Sequence, residues 1–364
     1  MTETLFAILG FILLMSVVVG FHELGHYAAG RLLGIQPIEF ALGFGRILAS
    51  RTDRNGCRWS VRAVPMGGFV KFLGDGDIAS ASSVEVASEL RRRTLDGAGP
   101  GRRAIVAVAG PLANFILTFV VLTGLYAGVG RVYTPAVVQG TVPGSVAEQA
   151  GFKQGDLIVA IGGVSIERFE DTMALVMPRA GMPTQFEVLR DGASVLLNAT
   201  PAAALVEDNF GRRREIGRIG LFGAKPVFER VPVASAFRFG LSDMVFQGRQ
   251  MLGLLRETVV GERPVNQLAG PGRIAEAAGD AMRSGWANLL FLTAFISINL
   301  GIMNLLPIPI MDGGLIVLCG LEGLRGRPLG ERAHKLVNMA GFAAVVSLMV
   351  TVVANDVLYL ISKL

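Results

Sequence analysis

His22-Glu23-Leu24-Gly25-His26 is a run whose residue types and spacing specify a reaction. On a helix, two imidazoles four residues apart lie on one face and aim at one metal ion. The Glu between them is placed as general base for a water that the metal activates, an arrangement suited to peptide hydrolysis. The chain has three histidines and two of them are here, so a chance match is a poor account of the motif. Its surroundings are unlike those of a soluble hydrolase. Leu5–Gly20 carries no charged residue and runs straight into His22. Ionisable side chains at membrane depth are costly and are kept for function.

Two histidines leave a catalytic zinc site short, because such sites use three protein ligands and an open position. The other apolar stretches offer Asn304-Leu-Leu-Pro-Ile-Pro-Ile-Met-Asp312-Gly-Gly314, where Asp312 is the only carboxylate between Ala287 and Leu318. Pro307 and Pro309 break a helix, and Gly313 and Gly314 let another backbone approach. Asp312 either completes a His-His-Asp zinc site or caps a helix at the cytoplasmic interface. Beside the two histidines the first reading is the stronger. Asn304, two helical turns before Asp312, offers an amide to an oxyanion or a substrate backbone, or else a helix–helix hydrogen bond. Asn114, in Gly110-Pro-Leu-Ala-Asn114, invites the same two readings, and there the structural one is favoured.

The elements that must position these residues are apolar helices. Of 364 residues 51% are hydrophobic and 17% charged, and mean hydropathy is +0.52, too apolar for an ordinary soluble enzyme. Four spans are expected, over about 5–33, 104–130, 287–307 continuing into 308–318, and 339–361. The result is a multi-pass α-helical membrane protein. Basic residues crowd the connections from Arg46 to Arg103 and from Arg325 to Lys335, so both should be cytoplasmic, with the long 131–286 segment on the other side. A net charge of +5 distributed in this way argues against nucleic acid as a partner. Met1–Thr4 lacks a basic region, so no cleavable signal peptide is expected. Cys57 and Cys319 form no CxxC and suggest neither a disulfide framework nor a thiolate metal site.

Two inserted parts complete the outline. Residues 51–75 alternate apolar and polar, with a bend expected at Gly67-Gly68. This β-hairpin either dips into the membrane beside protein or is a soluble cytoplasmic hairpin. Residues 79–99 read as a connection. A small mixed α+β domain is expected over 132–202, with helices near Val146 and over Phe169–Met177. A connector over 203–286 follows. Its stretch Val233–Leu255 reads as an amphipathic helix, either on the membrane surface or in the core of the outer domain. The expected divisions are thus 1–131, 132–202, 203–286 and 287–364.

Taken with their order along the chain, these motifs resemble the site-2 proteases, a family of intramembrane zinc metalloproteases. The likeness is specifically to the bacterial regulator-of-sigma-E protease branch. It rests on His22–His26, the Met66–Asp75 glycine hairpin, Gly110-Pro-x-x-Asn114, the inserted domain, and Asn304-x-x-Pro-x-Pro-x-x-Asp-Gly-Gly314. It implies that His22, His26 and Asp312 bind Zn²⁺, that Glu23 is the base, and that Asn304 contacts substrate. It implies that Gly67, Gly68, Phe69 and Val70 guide the substrate as an edge strand. The 132–202 domain resembles a PDZ module, with Val132–Val138 and the Phe169–Met177 helix as groove walls for a peptide or substrate segment. The implied substrates are single-span membrane proteins such as anti-sigma factors, already trimmed outside, in the bacterial inner membrane with the PDZ module periplasmic. Two departures stand out: Met311 precedes Asp312 where Leu is commoner, and there is one PDZ-like module where some relatives carry two. The rival classes are a membrane scaffold with an inert metal site, which the intact Glu23 opposes, and a metal transporter, which would need more polar residues along the spans.

Overall fold

The computed structural model describes residues 2–74, 90–207, 213–260, 270–327 and 330–362. Asp75 and residues 79–89 of the expected connection lie outside them. The chain divides into two compact units, one formed by 1–128 with 232–364 and the other by Val129–Val231.

The first unit opens with α1 (Thr2–Leu32), whose apolar run continues unbroken through the His22–His26 motif. A sheet follows, built from β1 (Pro37–Thr52) and β2 (Arg58–Phe72). Its tip is at Asp53–Cys57, where the Asp53 carboxylate accepts the N–H groups of Asn55 (2.8 Å) and Cys57 (3.0 Å). The bend expected at Gly67-Gly68 is a second reversal: Gly67 turns β2 so that 58–61 and 68–72 run in opposite directions, as Gly43 and Gly45 turn β1, all three at φ values that favour glycine. Residues 39–42 consequently pair on both sides, Phe40 with Val70 and Trp59, Ala41 with Phe69 and Ser60. Two long strands thus make four lanes, in the order 68–72, 37–42, 58–61, 49–52. Phe40 stacks on Trp59, and the Tyr27 hydroxyl donates to Asp53 (3.1 Å), tying the sheet to α1. α2 (Pro100–Gly128) returns along α1 with Pro111 in its interior.

The second unit holds a four-stranded antiparallel sheet and three two-stranded pairings. In chain order its elements are β3 (Arg131–Tyr133), β4 (Val138–Thr141), α3 (Val146–Gln149), β5 (Leu157–Ile161), β6 (Val164–Ser165), α4 (Phe169–Val176), β7 (Thr184–Arg190), β8 (Ala193–Ala199), β9 (Ala202–Glu207), β10 (Arg213–Arg218), β11 (Leu221–Gly223) and β12 (Val227–Glu229). The sheet order is β6-β5-β7-β8, and Val138, Ile158, Ile161, Phe186 and Val188 are fully buried in the core. Asp156, also fully buried, takes both a 2.7 Å Nε and a 2.7 Å Nη2 bond from Arg190. Burial alone would raise its carboxyl. The Arg190 guanidinium and the Lys153 N–H outweigh that and hold it below the usual carboxylate range. The unit runs past the expected boundary at 202. β11 pairs with β4, β12 pairs with β3, and Ile219 enters the core, so residues 203–231 belong to this unit rather than to a connector.

The chain then re-enters the first unit through α5 (Val233–Val259), α6 (Pro271–Arg283), α7 (Trp286–Asn304), α8 (Asp312–Arg325) and α9 (Glu331–Ser362). α5 is not a core helix of the inserted unit. It packs on α2 through Phe237 against Phe119 and on α7 through Gly248 beside Ile298 and Ile302. α6 lies against α1, with Leu14, Val18 and Ala278 forming a buried cluster that α7 completes. The first turn of α6 is held by Asp356 of α9, which accepts the N–H groups of Gly270 (3.1 Å) and Gly272 (2.7 Å) and the Arg273 Nε (3.2 Å). Three described helices are long and apolar enough to cross a membrane: Thr4–Leu32, Pro100–Gly128 and Trp286–Asn304. In α9 the apolar stretch is shorter, Gly341–Val357.

Candidate metal centre

α1 sets His22 and His26 one turn apart, with their Nε2 atoms 3.2 Å from each other. Asp312 reaches the same point from the far end of the chain. Its Oδ2 lies 3.2 Å from His22 Nε2 and its Oδ1 3.3 Å from His26 Nε2. The approach is made by the break that the two prolines foretold. α7 ends at Asn304, the chain turns through Leu305–Met311, and α8 begins with Asp312 itself. Ile310 sits at φ 81°, a strained conformation for a β-branched residue. Gly313 and Gly314 lie directly on the carbonyls of Leu305, Leu306 and Ile308, where no Cβ would fit. Asn304 and Asp312 are thus not two turns of one helix. They are the end of one helix and the start of another.

The ring nitrogens that face away are also engaged. His26 Nδ1 donates to the Val106 carbonyl at 2.7 Å, and His22 Nδ1 lies 3.2 Å from the Asn114 amide. Between these contacts α2 presents bare Gly110, whose missing side chain makes room for both imidazoles. Gly25 does the same for the carbonyl of Ala109, so α1 and α2 meet closely at the motif. Ser297 of α7 and Thr118 both donate to the Asn114 carbonyl, at 3.0 and 2.9 Å, and Thr118 also reaches the Ala294 carbonyl at 3.1 Å. Asn304 brings its Nδ2 within 3.3 Å of His22 Nε2, at the mouth of the cluster. Glu23 projects from α1 toward the sheet. The Val70 N–H points to its carboxylate, and a Cβ on Gly68 would stand 3.2 Å from its Cγ. The structure therefore gathers His26, Asp312, Asn114 and Asn304 around His22 and sets Gly68 and Val70 against Glu23, whereas Gly67 and Phe69 pack on Phe44. It adds Val106 and Gly110, which had no role assigned from sequence. The available signal was their spacing: 106, 110 and 114 recur every four residues and share one helix face.

A model of peptidase family M50 matches residues 10–348. The chain belongs to peptidase family M50. A protein of Agrobacterium fabrum named "Putative zinc metalloprotease Atu1380" is 36% identical over 97% of this chain and 96% of its own length. A Rhizobium meliloti protein, "Putative zinc metalloprotease R01501", is also 36% identical, over 96% of both chains. "Metalloprotease MmpA" of Caulobacter vibrioides is 34% identical over 97% and 95%. This M50 peptidase is a membrane-embedded zinc metalloprotease.

The donor set fits that metal. His22, His26 and Asp312 each offer one ligand atom, all within 4.8 Å of one another. With zinc bonds of about 2.0–2.1 Å, the edges of a tetrahedron measure about 3.3 Å. The 3.2 Å between the two Nε2 atoms matches such an edge, and each Nε2 has one Asp312 oxygen at a similar distance, Oδ2 at 3.2 Å from His22 and Oδ1 at 3.3 Å from His26. Among the described residues the buried Asp312 Oδ2 meets no donor other than the His22 ring, as a ligand oxygen facing a metal would.

The second unit carries a groove of about 500 Å³. One wall is α4, through Phe169, Thr172, Met173 and Val176, as expected. The other is the 217–222 segment and not Val132–Val138; β11 pairs along β4, and residues 131–133 pair with β12.

Proposed function

We propose that this M50 peptidase cuts peptide bonds within the transmembrane segments of single-span proteins. His22, His26 and Asp312 hold the zinc, and Glu23 is the general base. The observation that carries this reading is the gathering of one ligand atom each from His22, His26 and Asp312 within 4.8 Å, with the two histidines on a helix long enough to cross a membrane. When bound there, zinc supplies Lewis acidity to a water and to the scissile carbonyl. Glu23 takes the proton of that water on its carboxylate and hands it to the leaving amine. Asn304 directs its amide N–H toward the carbonyl oxygen as charge develops on it. Gly67, Gly68, Phe69 and Val70 hold the unwound substrate as an added strand. Gly68–Val70 is an edge lane of the sheet among the described residues, and it lies against Glu23.

On this reading α9 is a fourth span, the enzyme sits in the bacterial inner membrane, and Val129–Val231 is a periplasmic PDZ-like module. Its groove takes a peptide or substrate segment, and the module keeps untrimmed ectodomains from the site. The substrates are single-span proteins such as anti-sigma factors after a first cut outside, as in the regulator-of-sigma-E branch. The test is cleavage of a single-span protein with a truncated ectodomain, in membranes, by wild type and by Glu23→Gln. Cleavage within the span by wild type alone supports the proposal. Equal cleavage by Glu23→Gln removes Glu23 from the mechanism, and no cleavage by either across several substrates favours a scaffold. Deletion of 129–231 that alters neither rate nor substrate choice would end the filtering role.

A further inference from the structure

We propose that Asn114 is a positioning residue for the zinc: its side-chain oxygen accepts the Nδ1–H of His22 and so fixes the ring and tautomer that present Nε2 to the metal. This rests on the reading of His22 as a ligand. A neutral imidazole has one protonated and one bare nitrogen. The Nε2 atoms of His22 and His26 face each other and Asp312 at 3.2–3.3 Å, so for both rings to bind one metal both Nε2 must be bare. The proton is then on Nδ1 of each, and each Nδ1–H needs an acceptor in a buried place. His26 has the Val106 carbonyl at 2.7 Å. At His22 Nδ1 the described neighbour is the Asn114 amide, 3.2 Å away.

As drawn, the amide turns its NH₂ toward His22 Nδ1, while Asn114 Oδ1 is buried with no hydrogen-bond partner among the described residues. Amide oxygen and nitrogen are told apart by their hydrogen bonds. With zinc ligation this orientation sets two donors face to face and leaves the oxygen unmatched. Turning the amide over gives both the Nδ1–H and the oxygen a partner, and leaves only the NH₂ unmet. The side chain is well held for the task. Asn114 is fully buried, and its own carbonyl is pinned by the hydroxyls of Thr118 and Ser297. α2 thus serves both histidines from one face, with a carbonyl at 106, a gap at 110 and an amide at 114. Partners of this kind orient a ligand ring and raise its basicity, and their loss typically weakens metal binding about 10–100-fold.

The test is zinc affinity of the full chain in nanodiscs, by competition with a chelator, for wild type, Asn114→Asp, Asn114→Leu and His22→Ala. Melting in excess chelator reports the metal-free fold of each. Asn114→Leu should bind zinc about 10–100-fold more weakly, and Asn114→Asp, which accepts but does not donate, should bind at least as tightly as wild type. Unchanged affinity in Asn114→Leu, with or without a lower melting point, overturns the proposal. If Asn114→Leu fails to fold, Asn114→Asp alone decides. A tenfold loss there shows that the amide donates to His22 and reverses the assignment. His22→Ala with undiminished zinc binding would instead defeat the ligand reading itself, independently of any cleavage assay.

Discussion

Gly110→Ala sets helix stability against catalysis. In α2 alanine should be favoured over glycine by about 0.8–1.0 kcal/mol. The new Cβ, however, would stand 2.5 Å from His26 Cε1 and 2.9 Å from His22 Cε1, and closer still to His26 Nε2. Carbon atoms pack at about 3.5–4.0 Å, so the two rings must withdraw by about 1 Å or the helices must part. They cannot withdraw freely, because their Nδ1 atoms are already engaged by Val106 and Asn114. A displacement of about 1 Å in a catalytic constellation costs about 100-fold in rate, near 2.7 kcal/mol of barrier. The assay is cleavage of a single-span test protein in proteoliposomes, with zinc per chain and melting temperature measured on the same preparation. Gly110→Ala should lose about two orders of magnitude in kcat/KM and bind zinc more weakly while melting within a few degrees of wild type. Activity within threefold of wild type would refute the view that α2 shapes the centre by leaving this position bare.

Other substitutions probe the neighbouring parts. Glu23→Gln should keep zinc, measured by metal analysis, and lose about 10²–10⁴-fold in cleavage rate. Gly68→Val should lower cleavage without unfolding the chain, because its Cβ would meet the Ala41 carbonyl at 2.8 Å and crowd Val19 and Glu23. Cys57 is fully buried, and burial first, then the Asp53 carboxylate, pushes its thiol up to about 11. It should therefore resist maleimide at pH 7.5 until the chain is denatured. Arg190→Met should destabilise the inserted unit at neutral pH by stranding Asp156. Because the folded carboxyl lies below its unfolded value of about 3.9, the stability it contributes is present above pH 4 and lost as pH falls through the folded value. Hydrogen exchange of β5 and β7 should show a large difference between Arg190→Met and wild type at pH 7 that shrinks at pH 3.

What could be read from the sequence was what local pattern encodes. The spacing of His22 and His26, the isolated acid at Asp312 and the prolines before it lie in short windows, and the structure gathers the three side chains into one cluster. Of the four spans expected from composition, three stand among the described residues as helices long and apolar enough to cross a membrane. The double pairing of residues 39–42 was not legible, because no pattern along a strand says how many neighbours it has. Nor was the membership of 203–231 in the inserted unit, since a strand such as β11 is defined by its partner eighty residues away. Asn114 was legible as a polar residue in an apolar helix. Its partner, ninety-two residues earlier, was not.

The three proposed zinc ligands are supplied from opposite ends of the chain, residues 22 and 26 at one and 312 at the other. During synthesis the first helix is made, and begins to enter the bilayer, well before the last ligand is translated. For most of its production the nascent chain therefore holds half a centre, with a base but no complete metal cage. On the proposed mechanism the enzyme is made inactive and becomes competent only once α7 and α8 have packed, so a truncated or stalled product would not cut its neighbours in the membrane. Proteolytic capacity is in effect a certificate of completed assembly.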